Sequence, residues 1–447
     1  MIAFDAIARR NGRRPQALAR RWVGPAAWAA FLLTIFGALP ATDLEAQGRR
    51  MAEVDDLVEM GGRSSEWQPS FDATFTPREL GAPATDHAVL SGVTIPSMLQ
   101  AIDRYAAIVS NGGWPAIPDG PVLHVGVRDD RVLLLRRRLA ITGDLPQQAG
   151  NATTFDSFVE HAVRRFQFRH GLRPDGAVRD ETLRALNVPA IERLRQLRTN
   201  VVRINTFIAD LPPSYVMVNI PAAEIEAVDA GLVVSRHTAI VGKPDRQTPV
   251  LISKIHELNF NPYWHVPQSI VERDIIPQMQ QDPTYLERYV IRVYNQRGGE
   301  EIDPKTIDWF SDAPKNYVFR QDPGEDINSL GAVKLNFHNP FAVFLHDTPQ
   351  KALFSENMRA YSSGCVRVQN IEQLITWLLK DNDKEYWSRQ KIDAVTRSGE
   401  RVDVALQNPV PLYIVYVTAW ASPNGPVQFR NDLYDRDEPG AAMATNN

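Results

Sequence analysis

Cysteine is almost absent from this chain of 447 residues, which contains a single one, Cys365. One cysteine excludes an internal disulfide and any zinc site built from paired cysteines. The chain also lacks an excess of either charge, because 49 lysines and arginines stand against 53 aspartates and glutamates. This balance argues against a general nucleic-acid-binding protein. No long apolar run occurs beyond residue 46, so no integral membrane domain is predicted there.

The first 46 residues have the composition of an export signal. Six arginines between Arg9 and Arg21 precede an uncharged stretch, Trp22 to Thr42, whose most apolar part is Trp28 to Leu39. A basic segment followed by a short apolar one is typical of a secretory signal peptide. An uncleaved anchor is the alternative, because the uncharged stretch approaches the roughly 20 residues that span a bilayer. Both alternatives predict an exported protein.

The periodicity of the next 150 residues is mainly helical. Residues 47–127 are predicted to form a tether and scaffold region, which is flexible at first and contains a helix at Ser97–Ser110. Residues 128–190 contain three short helical apolar faces. Gly171 is predicted to end the second helix, and Asp180 to cap the third. These features predict a small three-helix domain.

Beyond this domain the apolar period changes from 3.6 to 2. Residues 191–213 are predicted to be a connecting helix, and the residues after 437 a flexible tail at 438–447. Between them, residues 214–437 contain one clear helix, Ile371–Lys380, and the runs of β-branched and aromatic residues Tyr215–Ile220, Leu232–Val241, Ala342–Leu345 and Pro411–Trp420. The sequence therefore predicts an α+β protein with a mostly-β C-terminal domain.

Residues capable of nucleophilic chemistry lie in the window His346 to Val368. Ser362-Ser363-Gly364-Cys365 is a turn of small residues, so backbone N–H groups near the sulfur could point at a substrate carbonyl. His346 follows a predicted strand, where a base is held rigidly, and Arg367 adds positive charge two residues after the sulfur. A thiol nucleophile needs such a base and such donors. The window predicts catalysis by Cys365; an inert cysteine and a surface histidine are the alternative.

Residues 128–190 resemble a peptidoglycan-binding module of the three-helix type. The matching segments are Val163-Arg164-Arg165-Phe166-Gln167, His170-Gly171-Leu172, Pro174-Asp175-Gly176 and Thr182-Leu183. These residues mainly specify the fold, so the resemblance leaves open whether this copy binds glycan.

The window around Cys365 resembles the catalytic motif of the L,D-transpeptidases, which join peptidoglycan stem peptides through a cysteine acyl-enzyme. His346 precedes Cys365 by 19 positions, and Ser362 to Arg367 match the Ser-x-Gly-Cys-hydrophobic-Arg part of the motif. Ser363 stands where many members have a second histidine; serine is common there in the large multi-domain proteobacterial subfamily. His346 is therefore the only base candidate within the motif.

The resemblance extends over roughly residues 75–437. Asn259 to Pro267 resembles the family's Asn-Pro-x-Trp-x-x-Pro segment, and Thr248-Pro249 resembles a short element of its early strands. Residues 268–330 are long for a connection between strands and resemble a mobile cap over the active site. Similar short matches precede His346 at Gln321, Pro323-Gly324, Asn328, Leu330-Gly331 and Lys334.

The resemblance implies a periplasmic enzyme that forms 3→3 cross-links during cell-wall biogenesis, peripheral to the inner membrane at most. It implies that Cys365 is the nucleophile, His346 the proton donor and acceptor, and Asp347 the residue whose backbone carbonyl orients the histidine. It also implies that the backbone N–H groups of Gly364 and Cys365 hold the oxyanion. The partners implied are peptidoglycan stem peptides and glycan, with no metal and no cofactor. The acceptor, whether a second stem peptide, a lipoprotein lysine or water, stays open, as does the oligomeric state.

Substrate contacts are expected at Ser363, Arg367, Trp264 and Tyr263. For the two aromatic residues, core packing is an equally good interpretation. For Arg367, a structural ion pair is the alternative to binding a substrate carboxylate.

Three other classes of protein share parts of this pattern. In papain-like peptidoglycan hydrolases the cysteine normally precedes the histidine, and a sortase would carry a Thr-x-Thr-Cys-like approach where Ser-Ser-Gly-Cys stands here. A non-enzymatic wall-anchoring protein would need only residues 128–190. The presence of His346 and Cys365 at family spacing argues against that last class.

Overall fold

The computed structural model describes residues 87–437, apart from positions 147–149, 151, 325, 383–386 and 424. The predicted leader, the tether as far as residue 86 and the tail at 438–447 lie outside the described residues. Among the residues described, no helix combines the length and the apolar character needed to cross a membrane.

Helices dominate the first 120 described residues. They are α1 (Thr94–Ser110), α2 (Arg131–Ile141), α3 (Ser157–Arg169), α4 (Asp180–Asn187) and α5 (Ala190–Ile208). The predicted C-terminal glycine of α3 is confirmed, because Gly171 has φ +68°. The predicted cap at Asp180 was wrong by one position. Helix α4 begins at Asp180 itself, so this carboxylate lies in the first turn, where it faces the positive end of the helix dipole.

Helices α2, α3 and α4 enclose one apolar core, as predicted. Its fully buried members include Leu135, Phe155, Phe166 and Leu186. Asp156 caps α3 by accepting a hydrogen bond from the N–H of Val159 at 3.1 Å. This three-helix unit is the predicted helical domain.

A sheet closed on itself forms the C-terminal domain. The strands of the domain are β1 (Tyr215–Asn219), β2 (Glu224–Asp229), β3 (Leu232–Gly242), β4 (Leu251–Phe260), β5 (Trp264–His265), β6 (Ile291–Tyr294), β7 (Glu301–Ile302), β8 (Val318–Gln321), β9 (Val333–Phe337), β10 (Leu345–His346), β11 (Ala360–Ser362), β12 (Val366–Val368), β13 (Val402–Val415), β14 (Ala419–Trp420) and β15 (Gln428–Phe429). Nine of them follow the order β11-β3-β12-β10-β9-β4-β13-β1-β2, and β2 also pairs with β3. This last pairing closes a barrel, which has no free edge around its main ring.

The predicted insertion is a folded subdomain. Strands β5, β8, β6 and β7 form a separate four-stranded sheet, in that order. Its helices are α6 (Gln268–Ile270), a π-helical turn at Val271–Ile275, α7 (Ile276–Gln281) and α8 (Tyr285–Arg288), with 3₁₀ turns at Pro304–Thr306 and Ala313–Asn316. An apolar cluster of its own, which includes Ile275, Tyr285 and Phe319, stabilises this subdomain.

Two predicted strands have different limits in the structure. The run Ala342–Leu345 is extended only at its end, because Ala342 has φ +54°, a left-handed conformation that a strand does not tolerate. The run Pro411–Trp420 divides between β13, which starts at Val402, and the short strand β14. The hairpin predicted at Ala230-Gly231 is confirmed, with both residues at positive φ.

Two helices lie between β12 and β13. The first, α9 (Ile371–Leu378), is the predicted helix without its last two residues. The second, α10 (Arg389–Ser398), was not predicted, because Ile392 is its only fully buried residue and no apolar stripe marks it. A 3₁₀ turn, Lys351–Ser355, lies between β10 and β11.

Helices α1 and α5 pack on the outer surface of the barrel. Met98 of α1 and Leu197 of α5 share one apolar cluster with Tyr413 of β13. Asn200 of α5 also exchanges two hydrogen bonds with Thr418, at 2.7 and 2.8 Å. The predicted connecting helix is therefore part of the packed structure, and the same holds for the helix of the scaffold region.

Candidate active site

Strands β10 and β12 bring the candidate catalytic residues to one face of the barrel wall. The two strands are parallel, with Leu345 opposite Val366 and His346 opposite Arg367. Leu345 and Val366 are buried in the barrel core. Because successive side chains of a strand point to opposite faces, His346 and Arg367 project from the other face. The same alternation, extended to Cys365 directly before β12, assigns its side chain to the face of His346, and Cys365 also packs against the apolar core of the barrel.

His346 is held by a hydrogen bond to the next residue in the chain. Its Nδ1 lies 2.5 Å from the backbone oxygen of Asp347, and the residue is only 5% exposed. A carbonyl oxygen only accepts, so Nδ1 carries the proton and Nε2 is left with a lone pair. Burial, with a contribution from Arg367, lowers the pKa of His346 to about 3. The imidazole is therefore a neutral proton acceptor at neutral pH.

The Asp347 side chain fixes the carbonyl that orients this histidine. The carboxylate has no exposed surface, accepts a hydrogen bond from the N–H of Ala332 at 3.1 Å and forms an ion pair with Lys351. Gly331, at φ +59°, passes so close that a Cβ there would lie 2.4 Å from Asp347 Oδ2. Only glycine fits at this position, which explains one of the short matches in the sequence.

The turn before Cys365 is braced by its own polar groups. Ser362 Oγ donates to the Cys365 oxygen at 2.5 Å and accepts from the N–H of Gly364 at 3.1 Å. Thr248 Oγ1 donates to the Gly364 oxygen at 2.8 Å and accepts from the N–H of Gly242 at 2.9 Å. Gly364 itself has φ +114°. Thr248, noted in the sequence only as part of a short element, thus stabilises the turn through hydrogen bonds to its backbone.

The expected oxyanion role of Gly364 does not agree with this geometry. Its N–H is directed at the Ser362 hydroxyl and is not free to meet a substrate. Within the part of the chain that the structure describes, the N–H of Cys365 makes no hydrogen bond to a backbone oxygen. The Cys365 N–H is therefore the donor that the turn leaves available.

Cys365 is a partly buried free thiol. Burial raises its pKa to about 11, although a backbone hydrogen bond from Phe344 and the charges of Lys334 and Arg367 act in the opposite direction. Thiol and imidazole are thus both neutral at pH 7, because one pKa is raised and the other lowered. A nucleophilic thiol at this position would therefore have to lose its proton to a base as it attacks.

Two cationic residues lie opposite His346 on the neighbouring strands, Arg367 on β12 and Lys334 on β9. Arg367 donates from Nη1 to Gln350 Oε1 at 2.6 Å, and its Nε–H is buried without an acceptor. Arg367 has no ion-pair partner among the described residues, so the structural ion pair considered from the sequence is not what the structure contains. Lys334, opposite His346 on β9, lies with Nζ 4.4 Å from the ring centre of Phe344.

Ser363 contacts the insertion through a residue that the sequence did not single out. Arg246 Nη1 lies 3.1 Å from Ser363 Oγ and 2.5 Å from Oδ2 of Asp274, which is fully buried in the π-helical turn. A cavity of about 220 Å³ adjoins this contact, with Arg246, Arg273 and Ser363 in its lining. No local pattern links Arg246 to Asp274, because the two belong to separate parts of the fold.

The two aromatic candidates lie in different environments. Trp264 is 6% exposed and belongs to the apolar cluster of the insertion. Tyr263 is 37% exposed, and the Arg320 guanidinium lies 4.8 Å from its ring centre. Tyr263 is thus the one of the two that a ligand could reach, and a substrate role for either stays a prediction.

Two parts of the chain, the barrel domain and the three-helix domain, match known protein families. Residues 213–404 match the YkuD family, described as the L,D-transpeptidase catalytic domain. Residues 213–404 of this chain are thus similar in sequence to an L,D-transpeptidase catalytic domain. Residues 128–186 of the same chain match the family described as "Putative peptidoglycan binding domain", which covers helices α2 to α4. Both resemblances stated from the sequence are confirmed.

A Haemophilus influenzae protein named "Putative L,D-transpeptidase" is 34% identical over 223 residues. The aligned part is 50% of this chain, and it spans 44% of the length of that curated relative. The solved L,D-transpeptidase from Stackebrandtia nassauensis is 11% identical, with a TM-score of 0.25 over 67% of this chain and 96% of its own. The one from Xylanimonas cellulosilytica is 14% identical, with a TM-score of 0.21 over 66% and 98%. Scores this low carry no argument, so the assignment rests on the sequence families.

Proposed function

We propose that this protein is a peptidoglycan L,D-transpeptidase with Cys365 as its nucleophile and His346 as its base. The observation that carries the proposal is the hydrogen bond from His346 Nδ1 to the Asp347 oxygen. It leaves Nε2 as a proton acceptor on the side of the barrel wall where Cys365 lies. The catalytic-domain match supplies the reaction class.

The first half-reaction forms a thioester. The donor is a tetrapeptide stem whose third residue is meso-diaminopimelate and whose fourth is D-alanine. His346 Nε2 takes the thiol proton while sulfur attacks the carbonyl carbon of the third residue. The N–H of Cys365 faces the oxyanion that develops. When the tetrahedral intermediate collapses, His346 returns the proton to the nitrogen of D-alanine, which leaves.

The second half-reaction transfers the acyl group. The side-chain amine of a second diaminopimelate attacks the thioester carbon, His346 takes a proton from that amine, and the thiol is restored with the proton. The product is a 3→3 cross-link. Water in place of the amine would make the same site an L,D-carboxypeptidase. Arg367 is proposed to hold a substrate carboxylate, which its lack of a carboxylate partner among the described residues supports.

The proposal includes the other parts of the chain. The insertion at 268–330 is proposed to cap the active site, which agrees with the contact of Asp274 and Ser363 through Arg246. Peptidoglycan as substrate requires a location outside the cytoplasm, and the composition of residues 1–46 supports export to the periplasm.

A direct test is to incubate the purified protein with disaccharide tetrapeptides that contain diaminopimelate. We expect dimers that have lost one D-alanine, joined between two third residues, and identified by mass spectrometry with fragmentation. Release of D-alanine without dimers would identify water as the acceptor. Absence of both products, with carbapenem acylation also absent, would contradict the proposal.

The pH dependence of acylation provides a second prediction. The lowered pKa of His346, about 3, keeps the base available in weak acid, and the raised pKa of Cys365, about 11, keeps the thiol protonated in weak base. The rate constant for acylation by a carbapenem should therefore change less than about threefold between roughly pH 5.5 and 8.5. Stopped-flow measurements would test this. A rise centred near the ordinary histidine pKa of about 6.5 would show that His346 titrates as an exposed imidazole.

A further inference from the structure

A cleft of about 410 Å³ lies between the three-helix domain and the barrel. Leu172 and Arg184 line it from the helical side, and Met358, Arg359 and Arg430 from the barrel side. Neither His346 nor Cys365 is part of its lining. The cleft is therefore separate from the candidate active site, although both belong to one folded unit.

Three arginines of this lining have no carboxylate partner among the described residues. Arg184 is exposed on α4 and makes no hydrogen bond within the described part of the chain. Arg359 is partly buried; its Nη2 donates to the Ala222 oxygen at 2.8 Å, whereas its Nε–H is buried without an acceptor. Arg430 Nη1 donates only to neutral oxygens, such as that of Phe429 at 2.8 Å.

The one acid in the lining does not neutralise these cations. Glu181 is exposed, and its carboxylate accepts a hydrogen bond from the side-chain amide of Asn357 at 2.5 Å. Asn357 in turn accepts from the backbone N–H of Arg173 at 3.0 Å. These two hydrogen bonds join the helical domain to the loop before β11. The charge of Glu224 acts on Arg359 and Arg430, but its carboxylate pairs with Arg236, so no carboxylate of the described residues forms an ion pair with the three arginines.

Partly buried cations without a partner are costly in a folded protein, because burial removes water that nothing replaces. A buried N–H without an acceptor, such as Nε–H of Arg359, adds to this cost. Burial lowers the pKa of Arg430 to about 10, although the charge of Glu224 acts in the opposite direction. A bound carboxylate would offset both costs, since arginine pairs with carboxylates through charge-assisted hydrogen bonds.

We propose that this interdomain cleft is a second peptidoglycan site, which binds a carboxylate of a glycan or stem-peptide fragment between Arg184, Arg359 and Arg430. The apolar side chains of Leu172 and Met358 provide surface for the sugar or peptide that carries the carboxylate. This inference rests on the proposed function, because that function makes peptidoglycan the relevant polymer.

The position of the cleft gives such binding a consequence for catalysis. Arg359 directly precedes β11, whose last residue, Ser362, opens the turn that ends at Cys365. The backbone oxygen of Arg359 accepts a hydrogen bond from the N–H of Val241 on β3 at 2.9 Å, so this segment is fixed to the barrel. A fragment bound in the cleft is thus held beside the segment that carries the nucleophile, which raises the local concentration of substrate.

Binding is tested on the full chain after complete acylation by a carbapenem, verified by intact mass, so that the active site is blocked. The probes are a diaminopimelate-containing disaccharide tetrapeptide, the same compound with amidated carboxylates, and denuded glycan oligomers with free muramic acid carboxylates. The variants are Arg184→Glu and Arg359→Gln, each checked by its thermal midpoint. Arg198→Glu is the matched control, because Arg198 is exposed on α5 and outside the cleft lining.

We expect the dissociation constant to rise about tenfold or more in both cleft variants, the loss expected for a hydrogen bond to a charged group, and to be unchanged in Arg198→Glu. Amidation should weaken binding similarly. If the two variants weaken binding of the tetrapeptide compound but not of denuded glycan, the bound carboxylate belongs to the stem peptide. If they weaken binding of denuded glycan, it belongs to muramic acid. If wild type, Arg184→Glu and Arg359→Gln bind these probes with equal affinity, the proposal that the cleft binds peptidoglycan is wrong. Failure of wild-type acylation contradicts the proposed function instead, and does so before any binding is measured.

Discussion

Replacement of Cys365 by serine is expected to abolish cross-linking and carbapenem acylation while leaving the fold intact. The side chain is partly buried beside the barrel core, and serine replaces the sulfur of cysteine with one smaller oxygen, so the substitution introduces no clash. A hydroxyl is a much weaker nucleophile than a thiol that loses its proton to a base. Removal of a catalytic nucleophile costs at least about 10³-fold in rate, so the variant should show no adduct during a normal assay.

The composition of the chain makes this experiment unusually clear. Because Cys365 is the only cysteine, a thioester adduct seen by intact mass has one place to form. Wild-type protein that has been acylated beforehand provides the inactive reference, and the thermal midpoint of Cys365→Ser reports on folding. Dimer formation by a well-folded Cys365→Ser protein at a rate near that of wild type would eliminate this residue as the nucleophile.

The fold was predictable where local patterns determine structure. The glycine after α3 and the Ala230-Gly231 hairpin each depend on a backbone conformation that only a few residue types adopt easily, so the sequence shows them directly. The predicted limits of helices and strands were wrong where tertiary packing determines them. Strand β10 is only two residues long, and Ile392 is the only fully buried residue of α10, so neither has an apolar period long enough to recognise.

The candidate site divides in the same way. The motif placed His346 and Cys365 in one window, and the hydrogen bond expected from His346 to the Asp347 carbonyl is present in the structure. The direction of the Gly364 N–H was not predictable, because it depends on the rotamer of Ser362. Contacts between distant segments, such as that of Arg246 with Asp274, require the tertiary structure itself.

Replacement of His346 by alanine is expected to slow acylation by about 10²–10⁴-fold, the usual contribution of a positioned general base. The motif contains no second histidine, since Ser363 stands at that position, and so no neighbouring imidazole replaces the lost base. Carbapenem acylation followed by intact mass gives the rate. His338→Ala is the matched control, because His338 is exposed at the end of β9 and should react at the wild-type rate.

The pH dependence of this variant separates loss of a base from loss of structure. Without His346 the reactive species is the free thiolate, and the pKa of Cys365 is raised to about 11 by burial. Below that pKa the thiolate fraction grows about tenfold per pH unit, so the rate of His346→Ala should rise steadily through the range where wild type is level. Removal of the imidazole also lets water approach the sulfur, which brings the pKa of the thiol closer to its ordinary value. The rate therefore stops rising at a lower pH, but it still rises with pH. A variant that folds normally, acylates at nearly the wild-type rate and shows a level pH profile would prove that the thiolate forms without His346.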